Sequence, residues 1–348
     1  MPVKFHKQVI ASEAFESVGV FDVDNDGVLD IVSGGLWYKG PDYRKRFKTY
    51  DAPRCDEYYD DFSTIPMDVN GDGNMDFVTG GWWGETLRWI ENPGKAGASW
   101  PVHEIAKVGN IETTRAWDID GDGQLEIVPN TPGAALCVFK PAGGRFEKHV
   151  IDEKPSGHGL GCGDVAGNGR ADLVVGGGWW ECPARPFDEP WTFHPDFDLG
   201  CACIPIIVTD LNGDGKSDLI VGEAHGYGLY WMEQKASGWV KHPIDPENSQ
   251  YHDMHWVDID GDGKPELVTG KRFRAHCGND PGEFDDFGVY YFKWNGETFS
   301  KQVIAYGSTG DSVGLGITSW VGDLAGNGRM DIVAAGKDGL KVFWNLGV

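Results

Sequence analysis

The stretch that decides the fold is "DVDNDGVLD", residues 22–30. It places Asp22, Asp24, Asp26 and Asp30 at positions 1, 3, 5 and 9, with a glycine at position 6. Alternate positions of a tight turn can point toward one centre, and glycine lets the backbone bend sharply. Hard cations such as Ca²⁺ take roughly six to eight oxygen ligands. The loop therefore predicts a Ca²⁺ site on a β-hairpin or, without an ion, an acidic turn braced by its own side chains.

The pattern occurs seven times. The other copies are "DVNGDGNMD" at 68, "DIDGDGQLE" at 118, "DVAGNGRAD" at 164, "DLNGDGKSD" at 210, "DIDGDGKPE" at 258 and "DLAGNGRMD" at 323. Five copies keep oxygen-bearing side chains at all four positions, and we predict structural Ca²⁺ in them. Their ligands would be Asp22, Asp24, Asp26, Asp30, Asp68, Asn70, Asp72, Asp76, Asp118, Asp120, Asp122, Glu126, Asp210, Asn212, Asp214, Asp218, Asp258, Asp260, Asp262 and Glu266.

Two copies lack this ligand set. They carry alanine at position 3, asparagine at position 5 and arginine at position 7. A guanidinium can bond two carboxylates at once. We therefore predict that Arg170 and Arg329 replace the ion by bridging the first and last aspartates of their loops.

Self-similarity at a period of about 46 residues indicates an array or a propeller. Each unit contains four short segments rich in Val, Ile and aromatic residues, bounded by Gly, Pro and Asn, and no helical periodicity is visible. The last unit stops after its third strand, while "VKFHKQVIA" at 3–11 matches "TFSKQVIA" at 298–305. The sequence predicts an all-β, seven-bladed β-propeller with four-stranded blades. It forms one domain, residues 1–348, and the N-terminal strand closes the last blade so that no edge stays open.

The repeats resemble the FG-GAP/VCBS repeats of integrin α-subunit propellers and of many bacterial proteins. Two stretches, "SGHGLGCGDVAGNGRADLVVGGGWWE" (156–181) and "GKRFRAHCGNDPGE" (270–283), also resemble sugar-active propellers. These are the propeller part of aldos-2-ulose (1,5-anhydrofructose) dehydratase and the rhamnose–glucuronate lyases. The second resemblance implies a lyase or dehydratase that acts on a sugar.

The formal charge is −24, from 54 acidic and 30 basic residues. This balance argues against nucleic acid and anionic membranes as partners. The resemblance to sugar-active propellers implies a small sugar or oligosaccharide as the ligand. A strand begins almost at once, so we expect no signal peptide and a cytoplasmic protein. Calcium loops favour the alternative, a periplasmic or secreted protein whose signal peptide has been removed.

The ten histidines fall into two groups by blade position. Five lie in the outermost strand of a blade, where we predict structural hydrogen bonds to a neighbouring blade: His6, His103, His149, His194 and His242. The other five lie at strand entrances or loops that should open on the channel mouth, opposite the acidic loops: His158, His225, His252, His255 and His276. We predict that these five converge into one functional site, which would suit a hydroxyl-rich ligand.

Elimination next to a carbonyl or carboxylate needs a base, a group that holds the enolate charge and an acid for the leaving oxygen. We predict His158 and His252 as base and acid, with His276 and Arg274 at the developing anion. The predicted substrate-binding residues are Glu112, Arg115, Tyr59, His225, His255, Trp83 and Trp180. Histidines at the mouth could instead hold a divalent metal, with His225 and His255 as ligands or supports.

Two other functions remain open at this point. One is a non-catalytic propeller that binds a glycan or a protein, for which several titratable imidazoles have little use. The other is a glycosidase with a carboxylate pair such as Glu16 and Glu112, which gives the histidines no role.

Overall fold

The computed structural model describes residues 2–308 and 313–348. Its strands form seven four-stranded antiparallel sheets and one two-stranded hairpin, and neither described range contains a helix. The described residues accordingly offer no helical segment able to cross a bilayer. The prediction of an all-β, seven-bladed propeller with four-stranded blades is confirmed.

The strands follow one another blade by blade. The first, β1 (Phe5–Ala11), belongs to blade 7. Blade 1 contains β2 (Gly19–Phe21), β3 (Asp30–Ser33), β4 (Leu36–Lys39) and β5 (Lys45–Lys48). The hairpin of β6 (Arg54–Cys55) and β7 (Tyr58–Tyr59) follows. Blade 2 contains β8 (Ile65–Met67), β9 (Asp76–Thr79), β10 (Thr86–Ile90) and β11 (Val102–Lys107). Blade 3 contains β12 (Thr113–Trp117), β13 (Glu126–Asn130), β14 (Ala135–Pro141) and β15 (Phe146–Pro155).

Blades 4 to 7 have the same order of four strands. Blade 4 contains β16 (Leu160–Gly163), β17 (Asp172–Val175), β18 (Gly178–Glu181) and β19 (Thr192–His194). Blade 5 contains β20 (Ile207–Thr209), β21 (Asp218–Gly222), β22 (Tyr227–Lys235) and β23 (Gly238–Ser249). Blade 6 contains β24 (Tyr251–Val257), β25 (Glu266–Lys271), β26 (Phe287–Trp294) and β27 (Phe299–Gly307). Blade 7 contains β28 (Trp320–Gly322), β29 (Asp331–Gly336), β30 (Gly339–Asn345) and β1.

The hydrophobic core lies between the blades. Second strands such as β3, β9 and β17 are buried along their whole length. Each apolar cluster joins adjacent blades, and one of them joins Val18 and Ile31 of blade 1 to Val342 of blade 7. Because each blade buries both faces against its neighbours, a chain of this length needs no single large core.

The N-terminal strand completes the ring as predicted. β1 pairs antiparallel with β30, from Phe5 opposite Asn345 to Ala11 opposite Leu340. Trp344 Nε1 donates a hydrogen bond of 2.7 Å to Gln8 Oε1. The edge of blade 7 is therefore covered by the start of the chain.

The acidic loops brace themselves. In blade 2, Asp68 Oδ1 accepts the Gly71 amide at 2.8 Å and Asp68 Oδ2 accepts the Gly73 amide at 3.0 Å. The position 9 carboxylate, Asp76, accepts the amides of Val69 at 3.0 Å and Asn92 at 2.7 Å. All seven loops bond the first and last carboxylates to loop amides. The turn therefore folds on side-chain-to-backbone bonds shared by every copy.

The predicted arginine bridges are not formed. Arg170 Nε donates instead to the carbonyl of Cys182 at 2.6 Å, so the guanidinium turns away from Asp164 and Asp172. In the loop of Arg329, Asp323 accepts the Asn327 and Gly328 backbone amides. Among the described residues Arg329 makes no side-chain bond to either aspartate. Backbone amides satisfy these carboxylates, which removes the need for a guanidinium.

Three outer-strand histidines are structural, as expected, but their partners lie within the blade. His103, His194 and His242 stack on a tryptophan of the third strand at 4.1–4.4 Å between ring centroids. Each also bonds through Nε2 to a glutamate of that strand, at 2.7–3.0 Å. The expected bonds to a neighbouring blade are thus replaced by bonds inside one sheet.

Candidate functional site

Four side chains converge where the blades meet the channel. Glu112 directly precedes β12, His158 precedes β16, His225 lies in the β21–β22 connection and His252 lies on β24. One ligand atom from each lies within 4.8 Å of all the others. We call these four residues the histidine cluster. The predicted convergence of imidazoles from neighbouring blades therefore holds for three of the five histidines here, and His276 lies beside them.

The ring nitrogens of the cluster surround one carboxylate oxygen. Glu112 Oε1 lies 3.1 Å from His252 Nε2, 3.4 Å from His158 Nε2 and 3.8 Å from His225 Nε2. The Nε2 atoms of His158 and His225 lie 3.0 Å apart. All three imidazoles therefore present Nε2 to the same small volume.

Neighbouring acceptors fix the orientation of two of these rings. His158 Nδ1 lies 2.7 Å from the Ala202 carbonyl, and His225 Nδ1 lies 3.0 Å from Asp280 Oδ2. Both partners only accept hydrogen bonds, so each Nδ1 carries the proton. In the neutral rings both Nε2 lone pairs then face each other and a carboxylate. Such a convergence requires a shared proton or a cation.

The donor set fits a divalent metal. Zinc takes His nitrogen and carboxylate oxygen at about 2.0–2.1 Å, which separates tetrahedral ligand atoms by about 3.3–3.4 Å. The distances from Glu112 Oε1 to the three Nε2 atoms, and the distance between Nε2 of His158 and His225, are 3.0–3.8 Å and bracket that value. Metal-bound histidines usually donate their other nitrogen to a carbonyl or carboxylate, as His158 and His225 do.

Burial and charge set the protonation of the cluster. Burial lowers the pKa of His252 to about 3 against the opposing pull of Glu112, so this fully buried ring is neutral. Within residues 2–308 and 313–348 its Nδ1 finds no hydrogen-bond partner. Burial would raise the pKa of Glu112, but contacts with the three histidines hold it well below its usual value. Glu112 is therefore an anion facing imidazole nitrogens.

Asp280 connects the cluster to a more exposed histidine. Its Oδ2 bonds His225 Nδ1 and its Oδ1 lies 2.9 Å from His276 Nδ1. The His276 ring stacks on His225 at 4.2 Å, and its side chain is 47% exposed. Burial would lower the pKa of His225, but bonds to Asp280 and Glu112 raise it. Burial and the neighbouring His225 lower the pKa of His276, which favours a neutral ring.

Three members of the cluster, Glu112, His158 and His225, line one wall of a cavity of about 540 Å³. We call it the central cavity, and its lining consists of Tyr58, Phe62, Trp82, Trp83, Glu112, Pro132, His158, Cys201, His225, Arg272 and His276. Trp83 is 42% exposed and packs against Tyr58 at 4.8 Å. The cavity thus combines aromatic surfaces with a polar wall, as sites for small ligands commonly do.

A buried cation lies in the same wall. Arg272 bonds Glu16 through Nε at 2.8 Å and through Nη2 at 3.2 Å. Burial opposes the charge of Arg272, but Glu16 raises its pKa, so the guanidinium stays charged. Lys337 lies 3.8 Å from the same carboxylate and 3.7 Å from the Tyr58 ring centroid. Two basic side chains therefore share the Glu16 carboxylate beside the cavity.

Several predicted site residues lie elsewhere. Tyr59 packs on Phe15 at 4.3 Å, and its neighbour Tyr58 takes the place in the cavity lining. Arg274 forms a bidentate pair with Glu57, at 2.7 and 3.2 Å, so it is already neutralised. Trp180 packs on Phe193 at 4.8 Å and against the core between blades 3 and 4.

Arg115 and His255 belong to a second network. Arg115 Nη2 and His255 Nε2 lie 2.6 and 3.2 Å from the two carboxylate oxygens of Asp253. Ser319 donates its amide and its hydroxyl to the same carboxylate, at 2.6 and 2.5 Å. Contacts from all sides satisfy Asp253, so these residues brace blades 3, 6 and 7 against one another. Their predicted contact with substrate would require breaking this network.

Sequence reasoning missed Asp280 and Tyr58 and gave Arg272 no role. Asp280 follows His276 by four residues inside the stretch that resembles sugar-active propellers. Tyr58 lines the cavity because the β6–β7 hairpin places it against blade 6, where its hydroxyl donates to the Ala275 carbonyl. The spacing of His276 and Asp280 was therefore a usable signal, whereas the position of Tyr58 was not.

The comparisons agree with this architecture. A family model described as FG-GAP-like repeat matches residues 68–128 and 210–269. The chain is a seven-bladed β-propeller that contains FG-GAP-like repeats in these two stretches. A search of curated proteins gives no match.

Among solved structures, one similar chain is an Agrocybe aegerita lectin that recognises non-reducing terminal N-acetylglucosamine. It is 19% identical, with a TM-score of 0.51, over 99% of this chain and 94% of the lectin. Another is BBS1N in complex with ARL6DN, which is 10% identical with a TM-score of 0.57, over 98% of this chain and 96% of BBS1N. At these identities the likeness shows the propeller fold alone.

Proposed function

We propose that this FG-GAP-repeat propeller is a metal-dependent carbohydrate lyase or dehydratase. It would perform β-elimination next to a carbonyl or carboxylate of a sugar bound in the central cavity. The observation that carries the proposal is the convergence of three imidazole nitrogens and the Glu112 carboxylate on one point of the cavity wall. A site that only binds glycans needs aromatic rings and hydrogen bonds, but it does not need three imidazoles that converge on a carboxylate.

The histidine cluster would hold the metal. Histidine nitrogens with one carboxylate favour zinc or a similar transition metal over Ca²⁺ or Mg²⁺. A bound divalent ion polarises a carbonyl or carboxylate oxygen and so stabilises an enolate. Arg272 adds positive charge to the cavity lining, and Lys337 lies 3.8 Å from Glu16, the partner of Arg272. The substrate would therefore place its carbonyl or carboxylate against this wall.

His276 is the residue best placed to move the proton. Because Asp280 accepts from Nδ1, the neutral ring carries its lone pair on Nε2. Its lowered pKa keeps the ring neutral near pH 7, as a general base requires. We therefore assign proton transfer to His276 in preference to His252. His252 is completely buried and faces Glu112, so a substrate proton does not reach it.

The elimination balances with this one acid–base group. His276 Nε2 takes the proton from the carbon beside the carbonyl, and the electron pair of that C–H bond forms the new C=C bond. The C–O bond to the leaving group breaks, and the leaving oxygen takes its electron pair. The imidazolium then returns the proton to that oxygen. Trp82 and Trp83 provide apolar surface against which a sugar ring can pack.

The test is ultraviolet absorbance of a conjugated enone or unsaturated uronate during incubation with 1,5-anhydrofructose or uronic-acid glycosides. The metal-loaded protein should form such a product. His276→Ala should abolish it and leave the metal content unchanged, whereas His103→Ala on an outer strand should change neither. Full activity of His276→Ala would refute the assigned base, and activity without any bound metal would refute the metal requirement.

A non-catalytic glycan-binding propeller is the second candidate. It is supported by the aromatic lining of the cavity and by the shared fold with a lectin that recognises N-acetylglucosamine. In that case calorimetry would detect sugar binding that Trp83→Ala weakens, and no substrate of either class would yield an unsaturated product.

A further inference from the structure

Three acidic loops receive a lysine from the third strand of their own blade. Lys39 at the end of β4 contacts Asp24 and lies 2.6 Å from Asp26 Oδ2. Lys140 of β14 contacts Asp120 and lies 2.7 Å from Asp122 Oδ2. In each case one ammonium joins the carboxylates at positions 3 and 5 of the loop.

Blade 6 repeats the arrangement. Lys293 of β26 contacts Asp260 and lies 2.9 Å from Asp262 Oδ2. It also lies 3.3 Å from Glu266 at position 9, just as Lys140 lies 3.6 Å from Glu126. We call the loops of blades 1, 3 and 6 the lysine loops. We infer that in the lysine loops the resident cation is this ammonium group and not Ca²⁺.

The ammonium bonds two of the carboxylate oxygens that a metal ion would need. The carboxylates at positions 1 and 9 already accept backbone amides in every loop. At position 5, Oδ1 accepts the amide of position 7, as Asp26 does from Val28 at 3.0 Å. Of the remaining oxygens, the lysine bonds Oδ2 at positions 3 and 5. Oδ1 of Asp24 and of Asp260 has no hydrogen-bond partner among the described residues. Ca²⁺ would have to displace it, because two cations at this distance repel each other.

The sequence of the other loops supports this inference. Where position 3 is asparagine instead of aspartate, the residue that faces the loop from the third strand is glutamate instead of lysine. Asn70 Nδ2 lies 3.4 Å from Glu91 Oε1, and Asn212 Nδ2 lies 3.3 Å from Glu233 Oε1. The two positions therefore change together, from aspartate with lysine to asparagine with glutamate. The two glutamates also bond the outer-strand histidines His103 and His242, whereas the lysines at this position bond loop carboxylates.

On this inference, two of the acidic loops, those of blades 2 and 5, remain as expected Ca²⁺ sites. The four carboxylates of each lysine loop belong to an intramolecular ion pair network, so these loops should not depend on added calcium for their stability. The ammonium groups are not freely solvated, since the side chains of Lys39, Lys140 and Lys293 are 23–32% exposed. Blades 2 and 5 lie outside this inference, because their loops contain no lysine partner.

The experiment compares Lys140→Gln and Lys293→Gln with Lys264→Gln in the full-length protein. Lys264 lies at position 7 of a lysine loop, but it is its backbone amide that bonds Asp262, at 3.0 Å. It therefore provides the same change of charge without loss of the bridge. After treatment with a chelator, each protein is titrated with CaCl₂ by calorimetry, and its melting temperature is measured with and without CaCl₂.

Each bridge variant should bind one more Ca²⁺ than wild type, and its melting temperature should fall in chelator and recover with CaCl₂. Lys264→Gln should bind the same number of ions as wild type. Unchanged stoichiometry in the bridge variants, or Ca²⁺ at Asp120 or Asp260 in wild-type crystals grown with CaCl₂, would overturn the inference.

A second variant covers the case in which the bridge variants fail to fold. Asp120→Asn should lower the melting temperature equally with and without CaCl₂, because it removes only a bond to Lys140. If the loss appeared only in CaCl₂, Asp120 would be a calcium ligand and the inference would be wrong.

Discussion

His158 and His225 bring their Nε2 atoms to 3.0 Å from each other while an acceptor holds each ring at Nδ1. The two rings stand nearly perpendicular, at 89°. Two lone pairs in this arrangement repel unless a proton or a cation lies between them. The arrangement therefore favours a positive charge between the two rings. The Glu112 carboxylate, 3.4 Å from His158 Nε2, favours it further.

The first prediction concerns the residue that orients His225. Asp280→Ala should weaken zinc binding by about 10–100-fold, the usual effect of removing a carboxylate behind a metal-bound histidine. Competition with a chromophoric chelator measures this affinity. His255→Ala, a histidine of the channel that bonds Asp253 instead of the cluster, serves as the control and should bind zinc like wild type. Equal zinc affinity in Asp280→Ala and wild type would mean that the cluster does not bind the metal.

The second prediction separates two tryptophans that each follow the second strand of their blade, Trp83 after β9 and Trp180 after β17. Trp83→Ala should weaken binding of a sugar ligand by about 0.5–1.5 kcal/mol, up to about 10-fold, because its exposed ring lines the central cavity. Trp180→Ala should instead destabilise the fold by about 2–3 kcal/mol, because its ring packs between blades. Calorimetry with sugars and urea denaturation measure the two effects. If Trp180→Ala weakened sugar binding and Trp83→Ala only destabilised the fold, the central cavity would not be the sugar site.

These tryptophans also show where sequence reasoning stops. The repeat predicted seven blades, the closing role of β1 and the gathering of histidines at the mouth, because each follows from the period and from the alternation of strands. The period could not distinguish Trp83 from Trp180, since their roles depend on which loop lies above each ring. It likewise could not show that Asp253 draws Arg115 and His255 away from the cavity. Contacts between distant blades decide such roles, and no local pattern records them.

The third prediction concerns pH and the buried Asp253. Burial would raise the pKa of this carboxyl, but Arg115, His255 and Ser319 lower it well below its usual value. A depressed folded-state pKa contributes stability above the unfolded value of about 3.9, and that stability is lost as the pH falls toward the folded value. Asp253→Asn should cost about 3–5 kcal/mol near pH 7, since it leaves Arg115 without its anion.

The difference in stability between wild type and Asp253→Asn should therefore shrink as the pH falls below about 4. Urea denaturation between neutral pH and the lowest pH at which both proteins still fold measures this trend. A constant difference over that range would show that the charge of Asp253 contributes nothing. His6→Ala, on the outer strand β1, should show no comparable dependence.

The fourth prediction concerns the hydrogen bonds that hold one blade to the next. Asn92 Nδ2 donates to the Val23 carbonyl of blade 1 at 2.8 Å and to the Met75 carbonyl at 3.2 Å. Asn345 repeats this contact between blades 7 and 6, with 2.8 Å to the Ile259 carbonyl. Both asparagines are almost fully buried, so Asn92→Ala would leave a carbonyl unpaired away from water.

The expected cost of each substitution is about 1–3 kcal/mol. Because the two sites join different pairs of blades and share no partner, the double variant should lose the sum of the single effects. Asn295→Ala, in an exposed turn of blade 6, serves as the control and should cost less. Urea denaturation measures all four proteins. A cost for Asn92→Ala no larger than that of the control would show that apolar packing alone joins the blades.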